Sequence, residues 1–169
     1  MIDTAILPIG GKGSRMKGES RLPKLLIKLN NYPLIYYSIS YLSKQNIKNI
    51  IFISNNSSRE VETYSINLCL KLNLRYKILH EKHLKGNFGG ILENFMNLPE
   101  NFLVVYPDIL WTCDLSRIFE YHYLSQSQIT LVVRRTDHPE DSDTVKLNPF
   151  FSKNRQPLCD TFLEAFKPN

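Results

Sequence analysis

Residues Asn49–Ser54 read Asn-Ile-Ile-Phe-Ile-Ser, apolar and largely β-branched at successive positions rather than at alternate ones. A strand with one wet face alternates apolar with polar residues. A run that is apolar on both faces fits a parallel strand covered by helices on each side of its sheet. That single segment confines the chain to architectures in which helices flank a parallel sheet, and the neighbouring patterns agree with it. Thr4–Leu7 is a short apolar run that breaks into glycines, as a buried strand ending in a loop would. Lys24–Leu29 reads as a second short extended piece closed by the turn residues Asn30 and Asn31. Pro33 suits the first turn of a helix, and Ile35, Ile39 and Leu42 follow at helical spacing.

Ser57 with Glu60 three residues later has the form of a capping box. It opens a helix with Val61, Tyr64, Leu68 and Leu72 on one stripe. Tyr76–Leu79 is a further strand. A loop over Glu81–Gly90 leads to a short helix around Ile91–Met96, and Phe102–Tyr106 is the strongest strand pattern in the chain. Asp114 is placed to cap a helix over Leu115–Leu124, with another strand at Ile129–Val133. Strands alternating with helices through residue 133 argue for an α/β fold with a parallel sheet. Beyond Asp137 the pattern decays into an acidic loop, Asp137–Asp143, and a stretch without clear period. The expected organisation is one domain over residues 1–147 and a poorly specified tail over 148–169.

The connection after the first strand carries the chemistry. It reads Gly10-Gly11-Lys12-Gly13-Ser14-Arg15, with Pro23-Lys24 soon after. Glycines remove Cβ atoms and allow positive φ, so successive backbone N–H groups can converge on phosphate oxygens. Lys12, Arg15 and Lys24 add full positive charge for phosphates that repel one another. In an open α/β sheet, ligands sit beyond the carboxyl ends of the strands, where this loop falls. A P-loop needs Gly-Lys-Ser/Thr at its end, but Gly13 follows Lys12. A dinucleotide fingerprint needs a third glycine opening a helix, but Met16 stands there.

Composition narrows the partners. The net charge of +5 suits a polyanionic small ligand. The cations form no single run and no stacking aromatics interleave with them, so nucleic acid is not an expected partner. No apolar run approaches membrane-spanning length, and Asp3 stands where an export signal would carry cations, so a membrane partner is not expected either. Cys69, Cys113 and Cys159 are few, odd in number and far apart, which suits reduced thiols and a cytoplasmic compartment. No further Cys or His lies near His80 and His83, which read as a surface loop pair. The sequence leaves a homo-oligomer open.

Leu7-Pro8-Ile9-Gly10-Gly11-Lys12-Gly13-Ser14-Arg15-Met16, followed by the segment 21–39 that begins Arg-Leu-Pro-Lys24, resembles the N-terminal signature of the sugar-1-phosphate nucleotidylyltransferase family. That resemblance implies a Rossmann-like, three-layer α/β/α fold with a mostly parallel central sheet. It also implies a reaction joining a nucleoside triphosphate to a sugar 1-phosphate with release of pyrophosphate. By the resemblance, Leu7, Gly10, Gly11, Lys12, Gly13 and Ser14 wrap the nucleotide. Arg15 holds the β- and γ-phosphates, and Lys24 neutralises charge at the reacting phosphates. Gly86-Asn87-Phe88-Gly89-Gly90 resembles the family's second glycine loop, which adds Gly86, Asn87 and Gly89 to the nucleotide-binding set.

Phe102–Asp108 is a buried strand ending in a carboxylate. Mg²⁺ keeps most of its waters and takes only one or two carboxylates, so Asp108 beside a phosphate loop is well placed to hold it. The family ends this strand with Gly-Asp, so Asp108 maps onto its metal ligand, while Pro107 replaces the usual glycine. His138-Pro139-Glu140-Asp141-Ser142-Asp143 resembles a segment of guanylyltransferases that act on heptose or mannose 1-phosphate, and this favours GTP and D-glycero-D-manno-heptose 1-phosphate.

The expected catalytic set is Arg15, Lys24 and Asp108, with Mg²⁺ on Asp108. A role in surface-polysaccharide precursors follows from the resemblance. The family's second metal-binding Asp lies further downstream; Asp160 and Glu164 are the acids available here, and Lys167-Pro168 faintly echoes its sugar-binding segment. Two alternatives follow. One is a nucleotide- or sugar-nucleotide-binding module with weak or no catalysis. The other is a cytidylyltransferase or molybdenum-cofactor guanylyltransferase type, which shares the glycine-rich opening.

Overall fold

The computed structural model describes residues 2–10, 22–82, 88–133, 144 and 162–164, the last three as backbone only. The chain divides into two compact units, Met1–Leu110 and Trp111–Asn169. The boundary expected between residues 147 and 148 lies outside the described residues.

In the first unit, β1 (Thr4–Pro8) leads toward the glycine loop. A two-residue hairpin, β2 (Lys28–Leu29) and β3 (Tyr32–Pro33), turns through Asn30, whose φ of 54° is one that asparagine tolerates better than most residues. Helix α1 (Leu34–Lys44) follows Pro33, then β4 (Asn49–Ser54), α2 (Arg59–Lys71), β5 (Arg75–His80), the short α3 (Gly89–Glu93) and β6 (Leu103–Val104). The sheet order is β5-β4-β1-β6, and every pairing is parallel. The chain therefore steps outward from β1 to β4 to β5, then crosses back to lay β6 on the other side of β1.

Right-handed crossovers make that reversal a change of face. Ile6, Ile51 and Ile53 point to the side where Ile91 of α3 packs, joined by Leu79, Leu98, Phe102 and Val104. Side chains alternate along a strand, so Ala5, Leu7, Ile50 and Phe52, all fully buried, face the opposite side. There α1 and α2 pack together, burying Ile35, Ile39, Leu42, Val61, Leu68 and Cys69. The result is the three-layer arrangement around a parallel sheet that the apolar run at Asn49–Ser54 implies.

Several local expectations are corrected. Lys24–Leu26 forms a 3₁₀ turn, and the strand is confined to Lys28–Leu29. Helix α2 takes Ser58 as its N-cap residue with no side-chain cap; Ser57 instead donates its N–H and hydroxyl to Asn55 Oδ1. The buried stripe of α2 is Val61, Ser65, Leu68 and Cys69, while Tyr64 and Leu72 are only half-buried. The segment around Ile91–Met96 splits into α3 and a 3₁₀ turn at Phe95–Asn97. β6 is shorter than expected and, among the described residues, pairs only with β1; one further bond, Val105 N–H to Ile6 O at 3.0 Å, extends the pairing.

The second unit contains α4 (Leu115–Leu124), β7 (Leu131–Val133) and β8 (Phe162–Glu164). Asp114 caps α4 as expected, accepting from the Ser116 N–H at 2.9 Å and the Ser116 hydroxyl at 2.6 Å. The expected tail supplies β8, which pairs antiparallel with β7. Among the described residues, no helix is long and apolar enough to cross a membrane, and Cys69 and Cys113 are both buried.

Candidate functional site

The strand order reverses across β1, so that β1 and β6 end side by side at the carboxyl edge of the sheet. Ligands of open α/β sheets bind in that position. Gly10 follows β1 and Asp108 follows β6, both beyond the carboxyl ends of these strands.

Asp108 stands beyond the last β1–β6 bond. The carbonyl before it, that of Pro107, accepts from the buried Ser38 hydroxyl of α1 at 3.4 Å. Lys24 reaches the same place from the connection after the glycine loop. Its 3₁₀ turn is fixed by Leu26 N–H to Pro23 O at 2.8 Å and Ile27 N–H to Lys24 O at 3.2 Å. The Lys24 ammonium donates to Asp108 Oδ2 at 2.7 Å, with the side chains 44% and 36% exposed. Exposure at that level keeps the pair reachable by a ligand and limits its value to stability. Tyr106 lies two residues before Asp108, just past β6. Burial raises its phenol pKa, and the Asp108 charge raises it further, so the ring stays neutral beside the pair.

The start of the loop is also built. Ile9 N–H donates to Ile53 O at 2.8 Å, the Ser58 hydroxyl meets Ile9 O at 3.0 Å, and the Asn55 amide donates to Gly10 O. Gly10 is buried, and a Cβ there would lie 2.9 Å from Asn55 Nδ2, so no side chain fits without displacing Asn55. Leu7 is fully buried, and its side chain belongs to the core. Gly11, Lys12, Gly13, Ser14, Arg15, Gly86, Asn87 and the segment His138–Asp143 lie outside the described residues. Gly89 and Gly90 begin α3; a Cβ on Gly90 would run into Ile53 Cγ2, so a glycine is needed for α3 to sit against β4.

Asp108 would suit a hydrated Mg²⁺, which needs only one or two protein carboxylates. Asp108 offers a half-exposed carboxylate beyond the carboxyl end of β6, and among the described residues no group of three or more metal-ligating side chains offers an all-protein cage. His80 ends β5 with its ring exposed, 4.0 Å from Glu62, whose carboxylate takes the Ser54 hydroxyl; this acid stands between the serine and the histidine, so the three do not form a nucleophile–base pair. Sequence reading missed Asn55 and Ser58, which carry no ligand motif and matter only through their contacts with residues more than forty positions away.

Known proteins share this fold and sequence pattern. The sequence pattern of the family described as nucleotidyl transferase matches residues 4–149. The D-glycero-alpha-D-manno-heptose 1-phosphate guanylyltransferase of Aneurinibacillus thermoaerophilus is 31% identical over 143 residues, covering 83% of this chain and 61% of that protein. The enzyme of the same name from Campylobacter jejuni is 27% identical over 145 residues, covering 85% of this chain and 63% of that one. This chain thus spans about three fifths of the length of these curated relatives. A solved UDP-glucose pyrophosphorylase from Acinetobacter baumanii shares the fold with a TM-score of 0.67 at 23% identity, over 82% of this chain and 58% of its own. Strand order and sequence pattern converge, and the chain belongs to the nucleotidyl transferase family.

Proposed function

We propose that this chain binds a nucleoside triphosphate beyond the carboxyl ends of β1 and β6 and transfers its nucleotidyl group to a sugar 1-phosphate. GTP is the favoured nucleotide and heptose or mannose 1-phosphate the favoured acceptor, in line with the names of the two relatives. The observation that carries the reading is the Lys24–Asp108 pair, a cation and a carboxylate held together 84 residues apart at the switch point of the sheet. One neutralises phosphate charge, and the other can hold a divalent cation.

In the reaction, a phosphate oxygen of the sugar 1-phosphate attacks the α-phosphorus in line. A new P–O bond forms, the α–β bridge bond breaks, and pyrophosphate leaves with its electron pair. Little covalent work falls to the protein; positioning and charge neutralisation dominate. The Lys24 ammonium sits where the α-phosphate gains charge, and Arg15 engages the outer phosphates. Gly10, Gly11, Lys12, Gly13 and Ser14 present backbone N–H groups, with Gly86, Asn87 and Gly89 completing the nucleotide side. Asp108 would hold Mg²⁺, which would supply further positive charge. A cytoplasmic place in nucleotide-sugar supply for surface polysaccharides goes with this reading.

The test is pyrophosphate release from GTP with heptose 1-phosphate and Mg²⁺, run beside mannose 1-phosphate and CTP. Release with either sugar phosphate and GTP supports the proposal. GTP binding with no release indicates a binding module instead, and turnover only with CTP and a non-sugar acceptor indicates the cytidylyltransferase type.

A further inference from the structure

Asn55 follows the last residue of β4 and is 8% exposed, yet all of its side-chain polar atoms are engaged. Nδ2 donates to the Gly10 carbonyl. Oδ1 accepts from Ser57 N–H at 3.0 Å, the Ser57 hydroxyl at 2.6 Å and the Ser58 hydroxyl at 3.1 Å. Only this amide orientation works, since turning it over would set Oδ1 against a carbonyl and Nδ2 against donors. The single Ser58 proton is shared between Asn55 Oδ1 and Ile9 O.

These bonds fix the backbone where it leaves β1. The peptides are trans, so each carbonyl and the N–H after it point in opposite directions. Holding the Ile9 carbonyl toward Ser58 turns the Gly10 N–H away from the β4–α2 connection, and holding the Gly10 carbonyl toward Asn55 sets the direction in which the chain departs. Gly10 and Asn55 are matched, because the amide lies where a Cβ at residue 10 would be. Backbone N–H groups that bind phosphate are effective only when already aimed.

We infer that Asn55 is a positioning residue, holding the start of the glycine loop through the Gly10 carbonyl in the form that receives the triphosphate. The inference rests on the triphosphate-binding reading above. It differs from a role in shaping the β4–α2 turn alone, because the turn uses only Oδ1. Asn55→Asp separates the two: it keeps an acceptor for Ser57 and Ser58 but replaces the donor to Gly10 O with a carboxylate oxygen that repels it.

The experiment measures binding of GTP with Mg²⁺ by calorimetry, and amide hydrogen exchange over residues 9–15, for the full chain and the Asn55→Asp, Ser58→Ala and Lys24→Ala variants. Asn55→Asp is expected to weaken GTP at least about tenfold and to speed exchange in that segment, and Ser58→Ala to do both to a smaller degree. Wild-type affinity or wild-type exchange in Asn55→Asp overturns the inference while a weakened Lys24→Ala leaves the binding reading standing. If the unaltered chain binds no GTP, or Lys24→Ala binds it as well as wild type does, the binding reading fails and the positioning role falls with it. Should Asn55→Asp not fold, Ser58→Ala decides, and unchanged affinity there overturns the inference.

Discussion

Lys24 and Asp108 meet through a 2.7 Å ion pair although 84 residues separate them, and both side chains remain more than a third exposed. A pair so exposed contributes about 0–1 kcal/mol to folding. Its position at the reversal of strand order matters more than its strength. An incoming triphosphate can take the ammonium, and a cation the carboxylate, without uncovering a buried charge.

Lys24→Ala is therefore expected to lower triphosphate affinity at least about tenfold. The melting temperature should move by no more than about 4 °C, the shift of roughly 1 kcal/mol in a chain of this size. Calorimetric titration and thermal melting of the same sample check both. A large fall in melting temperature with unchanged affinity would show that the lysine is structural.

Gly90→Ala should destabilise the first unit by about 1–3 kcal/mol, because the new methyl overlaps Ile53 Cγ2 in a packed core. Denaturant unfolding measures the loss. Combined with Ile53→Ala, which removes the opposing methyl, the two costs should sum to more than the double variant shows.

Asp114 supplies a pH-dependent part of the stability of the second unit. The Ser116 hydroxyl foremost, with the Ser116 N–H, holds its carboxyl below the ordinary 3.8. A depressed pKa in the folded state means stabilisation that is present above the unfolded value and lost as pH falls through the folded one. Asp114→Ser keeps a capping oxygen without the charge. Melting temperatures of the two proteins should differ in slope below about pH 4 and run parallel above it.

Cys69 is fully buried, and burial pushes its thiol up to about 11. The thiolate is the reactive form, so this side chain should resist alkylation in the native protein at pH 8 and react once the chain unfolds. Mass-spectrometric mapping of iodoacetamide adducts reads this out. Rapid native labelling of Cys69 would mean that α2 opens readily from the sheet.

Local chemistry made much of this legible. The Asn49–Ser54 run announced a strand covered on both faces, Ile35, Ile39 and Leu42 marked the inner side of α1, and Asp114 marked the start of α4. Each signal resides in residues that are neighbours in sequence, where side-chain spacing and short-range hydrogen bonds dominate. The errors came where another partner competed. Ser57 has the form of a cap, but Asn55 Oδ1 takes both of its donors, and β8 formed in a stretch without periodicity because β7 offered it an edge.

The candidate site divides in the same way. By itself the sequence determined the residue types: a glycine-rich loop after a first strand, Lys24 behind it, and a carboxylate at the end of a later apolar strand. Spacing along the chain could not say that Lys24 and Asp108 touch, that Asn55 and Ser58 secure the start of the loop, or that Gly90 must be bare to clear Ile53. Those relationships depend on the order β5-β4-β1-β6, which sets β4 and β6 on either side of β1. Side-chain patterns encode which face of an element is buried, but contacts between elements arise only when their apolar faces share one core, and that packing is a property of the whole fold.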